Sequence, residues 1–202
     1  MTTSIEKFVY VGLKRTASSF LQEKILPKIK RYNRRIAYEK FINIGKPLYD
    51  KYLRLPNFDK IVSVGESYSD CHTYPLFRDS TWFYDRYDWI SKVKKMYPDM
   101  NVIVSFRDKE SHIMSLYNKY CYDKGKFDYD NYVNVAVNNK DYSDYYDYDR
   151  YVKALKDAFD NVLVLDYAEL VSDPDVYIKR ICDFIGVKMI AYDNVFVNAS
   201  SR

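Results

Sequence analysis

The feature that most constrains this chain is a short apolar run followed by a glycine and a basic, hydroxyl-rich turn. The run covers Lys7–Val11, Gly12 follows it, and the residues after the turn have the apolar spacing of a helix. A buried strand that leads into a helix through such a turn leaves unpaired backbone N–H groups and the positive end of the helix dipole at one point. The stretch therefore predicts a strand–turn–helix unit with an anion-binding turn.

Three further apolar runs alternate with segments of helical spacing. The runs are Lys60–Gly65, Asn101–Phe106 and Asn161–Leu165. This alternation predicts an α/β fold of three layers, α/β/α, around a central, mostly parallel sheet of four to five strands, similar to P-loop folds. No repeat or linker divides the sequence, so residues 1–202 are expected to form a single domain. Two segments are predicted as loops, Ser67–Asp79 and Asp123–Asp144, and helices are expected at Ser18–Ile29, Arg34–Leu55, Tyr84–Met96, Lys109–Tyr120, Tyr145–Phe159 and between Asp173 and Gly186.

The composition is typical of a globular protein. The 202 residues are 48% hydrophobic and 30% charged, which is enough for a sizeable core. No run approaches the length of a membrane span, and the N-terminus lacks a signal-peptide pattern. The cysteines lack metal-ligand spacing, which favours reduced thiols at Cys71, Cys121 and Cys182. We therefore expect a soluble, cytoplasmic protein with no metal site.

The distribution of charge is more informative than its sum. The net charge of +4 is too small to indicate a nucleic-acid partner. Between Lys24 and Arg54, however, ten basic residues stand against two acidic ones. Such a segment is either a solvated helix face or a surface for an anionic substrate, and the sequence leaves both interpretations open.

The turn differs from the P-loop of nucleotide triphosphatases in where its charge lies. Counting from Gly12, Ala17 stands where a P-loop has its second glycine and Ser18 where it has its lysine. The positive charges come earlier, at Lys14 and Arg15. The second and third strands also end in Glu and Arg rather than in an Asp that would organise Mg²⁺. These features disfavour ATP or GTP chemistry and favour a sulfuryl group, which carries less charge than a phosphoryl group and needs only a basic side chain and backbone N–H groups.

A second candidate anion site follows the third strand. Arg107 comes directly after Asn101–Phe106, and Ser115 lies eight residues later on the predicted helix. The arginine offers a charged fork and the serine a hydroxyl, so both can bind one phosphate. Because the strands are parallel, this site and the first turn are expected at the same edge of the sheet.

Together the two sites resemble those of the sulfotransferase family that uses 3′-phosphoadenosine 5′-phosphosulfate (PAPS). The turn Gly12–Ser19 is similar to the family's 5′-phosphosulfate loop, and Arg107 with Ser115 matches its 3′-phosphate motif. Asn161–Tyr167 and Cys182–Gly186 are also family-like, so the resemblance spans residues 7–187. It implies PAPS as the donor and Arg15 as the catalytic basic residue at the transferring sulfate. It further implies cofactor contacts from Lys14, Arg15, Thr16, Ala17, Ser18, Ser19, Phe20, Arg107 and Ser115.

The resemblance also indicates a general base. Glu66 follows the second strand, like the base of many carbohydrate sulfotransferases, and would take the proton of the acceptor hydroxyl during in-line transfer. His72, in the same predicted loop, is the second candidate, and His112 is assigned to packing or to the surface. The chain departs from the family pattern at Lys14 (usually Pro), Ala17 (usually Gly) and Ser67 (usually Lys).

The function implied is transfer of a sulfuryl group from PAPS to a hydroxyl of a carbohydrate or small metabolite. An anionic glycan is one candidate acceptor, and no nucleic-acid partner is expected. Two alternatives stay open: a P-loop nucleotide kinase or NTPase, and a degenerate, non-catalytic nucleotide-binding module. The departures from the family pattern keep the second of these open.

Overall fold

The centre of the protein is a four-stranded parallel sheet. A computed structural model describes residues 7–12, 15–17, 20–28, 61–64, 87, 90–91, 94–95, 98–122, 125–136 and 146–193. The strands are β1 (Lys7–Tyr10), β2 (Ile61–Val64), β3 (Asn101–Phe106) and β4 (Val162–Asp166), in the spatial order β2-β1-β3-β4. All neighbouring pairs are parallel. The predicted α/β class is thus confirmed, and the four strands of the described residues agree with the predicted four to five.

Five α-helices whose bounds are described follow or connect the strands. They are α1 (Lys109–Tyr122), α2 (Tyr129–Ala136), α3 (Tyr148–Ala158), α4 (Tyr167–Ser172) and α5 (Pro174–Ile185). Within these ranges, none has the length and apolar character that crossing a membrane would need.

The sheet is covered on both faces because side chains alternate along each strand. In β1, Phe8 and Tyr10 belong to one core cluster, while Val9 belongs to the other. The first cluster packs against α5 and the segment after the first turn, and the second packs against α3. This arrangement is the predicted three-layer architecture.

The ends of α5 show why this helix was predictable. Asp173 caps it by accepting a hydrogen bond from the backbone N–H of Val176 at 3.1 Å, and Pro174 occupies the first position. Gly186 ends the helix with φ 68°, a left-handed conformation that glycine adopts without steric cost.

Two helices were not predicted. The segment expected to be a loop, Asp123–Asp144, contains α2, which is capped by Asp128 through the N–H of Asn131 at 2.9 Å. Its Tyr132 is buried against Tyr120 of α1. The short α4 begins directly at the end of β4, where Asp166 accepts the N–H of Ala168 at 2.8 Å.

The helix predicted at Ser18–Ile29 is irregular where the structure describes it. Leu21–Ile25 form a π-helix and Leu26–Lys28 a 3₁₀ helix. The N–H of Leu26 reaches back to the carbonyl of Leu21, and Pro27 has no N–H with which to continue an α-helix. Of Tyr84–Met96, the described residues 90, 91, 94 and 95 are helical, and Arg34–Leu55 and Ser67–Asp79 lie outside the described residues.

Candidate functional site

The turn after β1 has an unusual backbone. Arg15 and Ala17 adopt φ values of 64° and 65°, in the left-handed region that costs a residue with a Cβ about 1–2 kcal/mol. Ala17 is the position at which the resembled family has glycine, so the turn keeps a left-handed conformation without it. At position 12, by contrast, glycine is required, because a Cβ there would collide with the hydroxyls of Tyr10 and Ser105.

A buried hydroxyl network supports this turn from beneath. Thr16 is fully buried, and its Oγ1 accepts a hydrogen bond from Ser105 Oγ at 2.9 Å. The Tyr10 hydroxyl donates to the Thr16 carbonyl at 3.3 Å and also contacts Ser105 Oγ. Tyr10 and Ser105 come from neighbouring strands, so the sheet itself fixes the position of the turn.

Two residues expected at the cofactor instead direct their side chains into the core. The Thr16 side chain belongs to the buried network. Phe20 is 1% exposed and meets the ring of Tyr192 edge to face at 5.8 Å. Both side chains fill space behind the turn, so only their backbones remain for an anion, and the cofactor contact of these two residues stays a prediction.

Three of the charged or polar residues predicted for the two anion sites lie together in the structure. Arg15 Nε donates to Ser115 Oγ at 3.2 Å, and Arg107 Nη1 donates to the carbonyl oxygen of Arg15 at 3.4 Å. The two sites therefore form one continuous, positively charged group at the carboxyl edge of the sheet.

Arg107 is held by several further contacts. Its Nε donates to Ser111 Oγ at 2.8 Å, and its guanidinium carbon lies 4.6 Å from the centre of the Tyr167 ring. Its carbonyl accepts a hydrogen bond from the Tyr148 hydroxyl at 3.0 Å. Tyr167 comes from the unpredicted α4, so the position of Arg107 depends on an element that the sequence did not indicate.

The start of α1 is capped by Asp108. Its carboxylate accepts the backbone N–H of Ser111 at 2.8 Å and also the Ser111 hydroxyl. These hydrogen bonds, with the charge of Arg107 as a smaller contribution, lower the pKa of Asp108 below its ordinary value. Aspartate is a preferred residue at a helix start and accepts the N–H of the residue two or three positions into the helix, and this signal could have drawn attention to Ser111.

His112 occupies the helix between Arg107 and Ser115 but does not face solvent. It is fully buried, and its Nδ1 lies 3.3 Å from the Tyr146 hydroxyl. The packing role assigned to it is the one observed. Within the described ranges, no group of three or more His, Cys, Asp or Glu residues is arranged to hold a metal ion.

Five predicted site residues lie outside the described residues: Lys14, Ser18, Ser19, Glu66 and His72. The strand before Glu66 is described, and its last residue, Val64, pairs with Tyr10 of β1. Since β1 and β2 are parallel, the chain leaves β2 at the same sheet edge as the Arg15 turn.

Comparisons with known proteins agree with this architecture. A family model described as "Sulfotransferase family" matches residues 48–191, a range that includes Arg107 and Ser115 and begins after the first turn. A search of curated proteins finds no match. Among solved structures, the chain is similar to a sulfotransferase from Alicyclobacillus acidocaldarius, with a TM-score of 0.63 and 14% sequence identity. That alignment covers 99% of this chain and 88% of the other, and at this identity the likeness concerns the fold. Because this family match extends over most of the chain, the chain belongs to the sulfotransferase family.

Proposed function

We propose that this sulfotransferase takes its sulfuryl group from PAPS and transfers it in line to a hydroxyl of a carbohydrate or small metabolite. The observation that carries the proposal is the hydrogen-bonded group of Arg15, Ser115 and Arg107 at the carboxyl edge of the sheet. It combines two arginines from separate elements, which suits a ligand with anionic groups at two positions.

The donors in this group fit such a ligand. An arginine carries five N–H donors, and the contacts described above use only one of them on Arg15 and two on Arg107. Among the described residues, no hydrogen bond engages the terminal nitrogens of Arg15. Both guanidinium groups therefore have donors left for sulfate or phosphate oxygens.

Each residue then has a definite task. When bound, PAPS supplies the sulfuryl group, and adenosine 3′,5′-bisphosphate is the leaving group. Arg15 stabilises the negative charge that develops on the bridging oxygen, and Ser115 orients the Arg15 side chain. Arg107, with Ser115, binds the 3′-phosphate. Glu66 accepts the proton of the attacking hydroxyl, with His72 as the second candidate for this role.

Two further features concern the acceptor and the compartment of this reaction. The concentration of basic residues between Lys24 and Arg54 makes an anionic glycan a candidate acceptor. Cys121 and Cys182 are both free thiols, which is compatible with the cytoplasm as the compartment.

Calorimetric titration tests the donor. We expect the protein to bind adenosine 3′,5′-bisphosphate tightly in the presence of a metal chelator, because arginines and hydroxyls supply the recognition. ATP with Mg²⁺ should bind more weakly. Preferential binding of Mg-ATP would favour the kinase alternative, and binding of neither nucleotide would favour a protein that has lost the donor site.

The base is tested by Glu66→Gln, with His72→Gln as the matched variant. We expect Glu66→Gln to leave bisphosphate binding unchanged and to lower the rate of sulfuryl transfer from PAPS by about 10²–10⁴-fold, as expected when general base catalysis is removed. The assay follows release of the bisphosphate with a panel of hydroxyl acceptors. Normal turnover of Glu66→Gln together with loss in His72→Gln would reassign the base to His72.

A further inference from the structure

We propose that Ser111 is a positioning residue that orients Arg107 toward the 3′-phosphate of the nucleotide, with Asp108 as its anchor. The proposal rests on the proposed function, since it concerns how the same donor is recognised. It adds to the two-residue phosphate motif a serine whose side chain contacts Arg107 and Asp108.

The direction of the hydrogen bonds follows from the chemistry of the three groups. The carboxylate of Asp108 only accepts, so the single hydroxyl proton of Ser111 points to it. The Ser111 oxygen is then left to accept from Arg107 Nε, at 2.8 Å. A continuous chain runs from guanidinium to hydroxyl to carboxylate, and each bond in it involves a charged group, which strengthens it.

The other contacts of Arg107 complete its orientation. The Tyr167 ring covers the guanidinium at 4.6 Å, and the Arg15 carbonyl accepts from Nη1 at 3.4 Å. Among the described residues, Nη2 has no hydrogen-bond partner. The arginine is therefore fixed at Nε while its outer edge retains donors for a phosphate, so less side-chain entropy is lost when the ligand binds.

The Ser111 hydroxyl also keeps the Asp108 carboxylate from pairing directly with the Arg107 guanidinium. Both oxygens of Asp108 are engaged by Ser111, one by its N–H and one by its hydroxyl. The negative charge is thus held at the start of α1, where the helix dipole favours it. Without the hydroxyl, Asp108 and Arg107 are free to pair directly, and a carboxylate would compete with the phosphate for the guanidinium.

The experiment compares two nucleotides that differ by the 3′-phosphate alone. Adenosine 3′,5′-bisphosphate and adenosine 5′-phosphate are titrated into the wild type, Ser111→Ala and Ser111→Thr. We expect Ser111→Ala to weaken the bisphosphate by about 10-fold, which corresponds to about 1.4 kcal/mol, and to leave the 5′-phosphate nucleotide within about 2-fold. Ser111→Thr keeps the hydroxyl and should restore most of the preference.

The controls separate positioning from general damage. Ser172→Ala removes an exposed hydroxyl of α4 and should bind both nucleotides as the wild type does. If Ser111→Ala does not fold, Asp108→Asn, which is nearly isosteric, replaces it, and we expect a bisphosphate-selective loss of about 3-fold. An unchanged preference for the bisphosphate in Ser111→Ala, or an equal loss for both nucleotides, overturns the inference. A wild type that shows no preference for the bisphosphate overturns the proposed function instead.

Discussion

Arg15 and Arg107 reach the same edge of the sheet from backbones that are held in different ways. Arg15 lies in a turn with left-handed residues, and this turn is supported by hydroxyls of Tyr10 and Ser105 from two strands. Arg107 is followed by a helix start whose hydrogen bonds connect residues within four positions of it. The turn of the first arginine is held by distant strands, whereas Nε of the second is bound within its own segment and Tyr148 and Tyr167 add contacts from outside it.

This difference fits the two tasks that we propose for these arginines in sulfuryl transfer. A catalytic arginine must be placed accurately with respect to the transferring group, and a turn locked onto the sheet core can provide that accuracy. A binding arginine needs an oriented fork with free donors, and the Ser111 contact at the helix start together with the Tyr167 ring can orient one. We therefore expect substitutions in the first segment to affect turnover and folding, and substitutions in the second to affect nucleotide affinity.

The largest effects should come from removing the arginines themselves. We expect Arg15→Ala to lower the transfer rate by about 10²–10³-fold, because it removes charge stabilisation in the transition state. Arg107→Ala should mainly weaken the bisphosphate, by about 10–100-fold, because it removes charged hydrogen bonds to a bound phosphate. Transfer assays and calorimetry on both variants measure the split. Equal losses of rate and affinity in the two variants would contradict the division of tasks.

The buried network should matter for stability in the first segment. Thr16→Val keeps the shape of the side chain and removes the hydroxyl that accepts from Ser105 at 2.9 Å. Loss of this buried acceptor of Ser105 should lower the free energy of unfolding by about 1–3 kcal/mol. Urea denaturation measures this change, with the exposed Ser172→Ala as the control. A loss below that of the control would show that the network does not hold the turn.

The helix start should respond to acid. The pKa of Asp108 is lowered in the folded protein. Its ionised form therefore stabilises the fold at pH values above the ordinary aspartate pKa of about 3.9. This stabilisation is lost as the pH falls through the lower pKa of the folded protein. Asp108→Asn should therefore be less stable than the wild type by up to about 1 kcal/mol at pH 6, from the loss of charge at the helix start. The gap should narrow toward pH 3. Denaturation curves at the two pH values check this, and a gap that widens in acid would contradict it.

The smallest effect should come from relieving strain in the turn. Ala17 has φ 65°, so Ala17→Gly removes a steric cost but adds entropy to the unfolded chain. We expect a net stabilisation of about 0.5 kcal/mol, measured by urea denaturation. Ala154→Gly, in the interior of α3, is the matched change and should destabilise by about 1 kcal/mol. Destabilisation by both changes would mean that the turn is not strained at Ala17.

The sequence predicted those parts of the fold that are encoded locally. The apolar run at Asn101–Phe106 and the caps of α5 identify their elements without knowledge of neighbours. The short α2 escaped prediction because Tyr132 is stabilised by rings of α1, which is a tertiary contact. The irregular helix after the turn was likewise not foreseen, although Pro27 lacks the N–H that an α-helix needs there.

In the candidate site, too, the sequence predicted some features and missed those that depend on tertiary contacts. The spacing of Arg107 and Ser115 indicated a phosphate site, and the structure brings both residues to Arg15. The inward direction of Thr16 and Phe20 was not predictable, because it depends on Ser105 and Tyr192, which lie far away in the sequence. Tyr167 was missed for the same reason, since only the packing of α4 brings its ring to the guanidinium.

A crystal structure of the protein with adenosine 3′,5′-bisphosphate bound tests most directly whether the two segments form one donor site. We expect the 5′-phosphate in the Gly12–Ala17 turn beside Arg15, and the 3′-phosphate within hydrogen-bond distance of Arg107 and Ser115. Ser111 should still contact Arg107 Nε in that complex. A nucleotide bound elsewhere, or one whose 3′-phosphate does not touch Arg107, would contradict the claim that the two segments form one donor site.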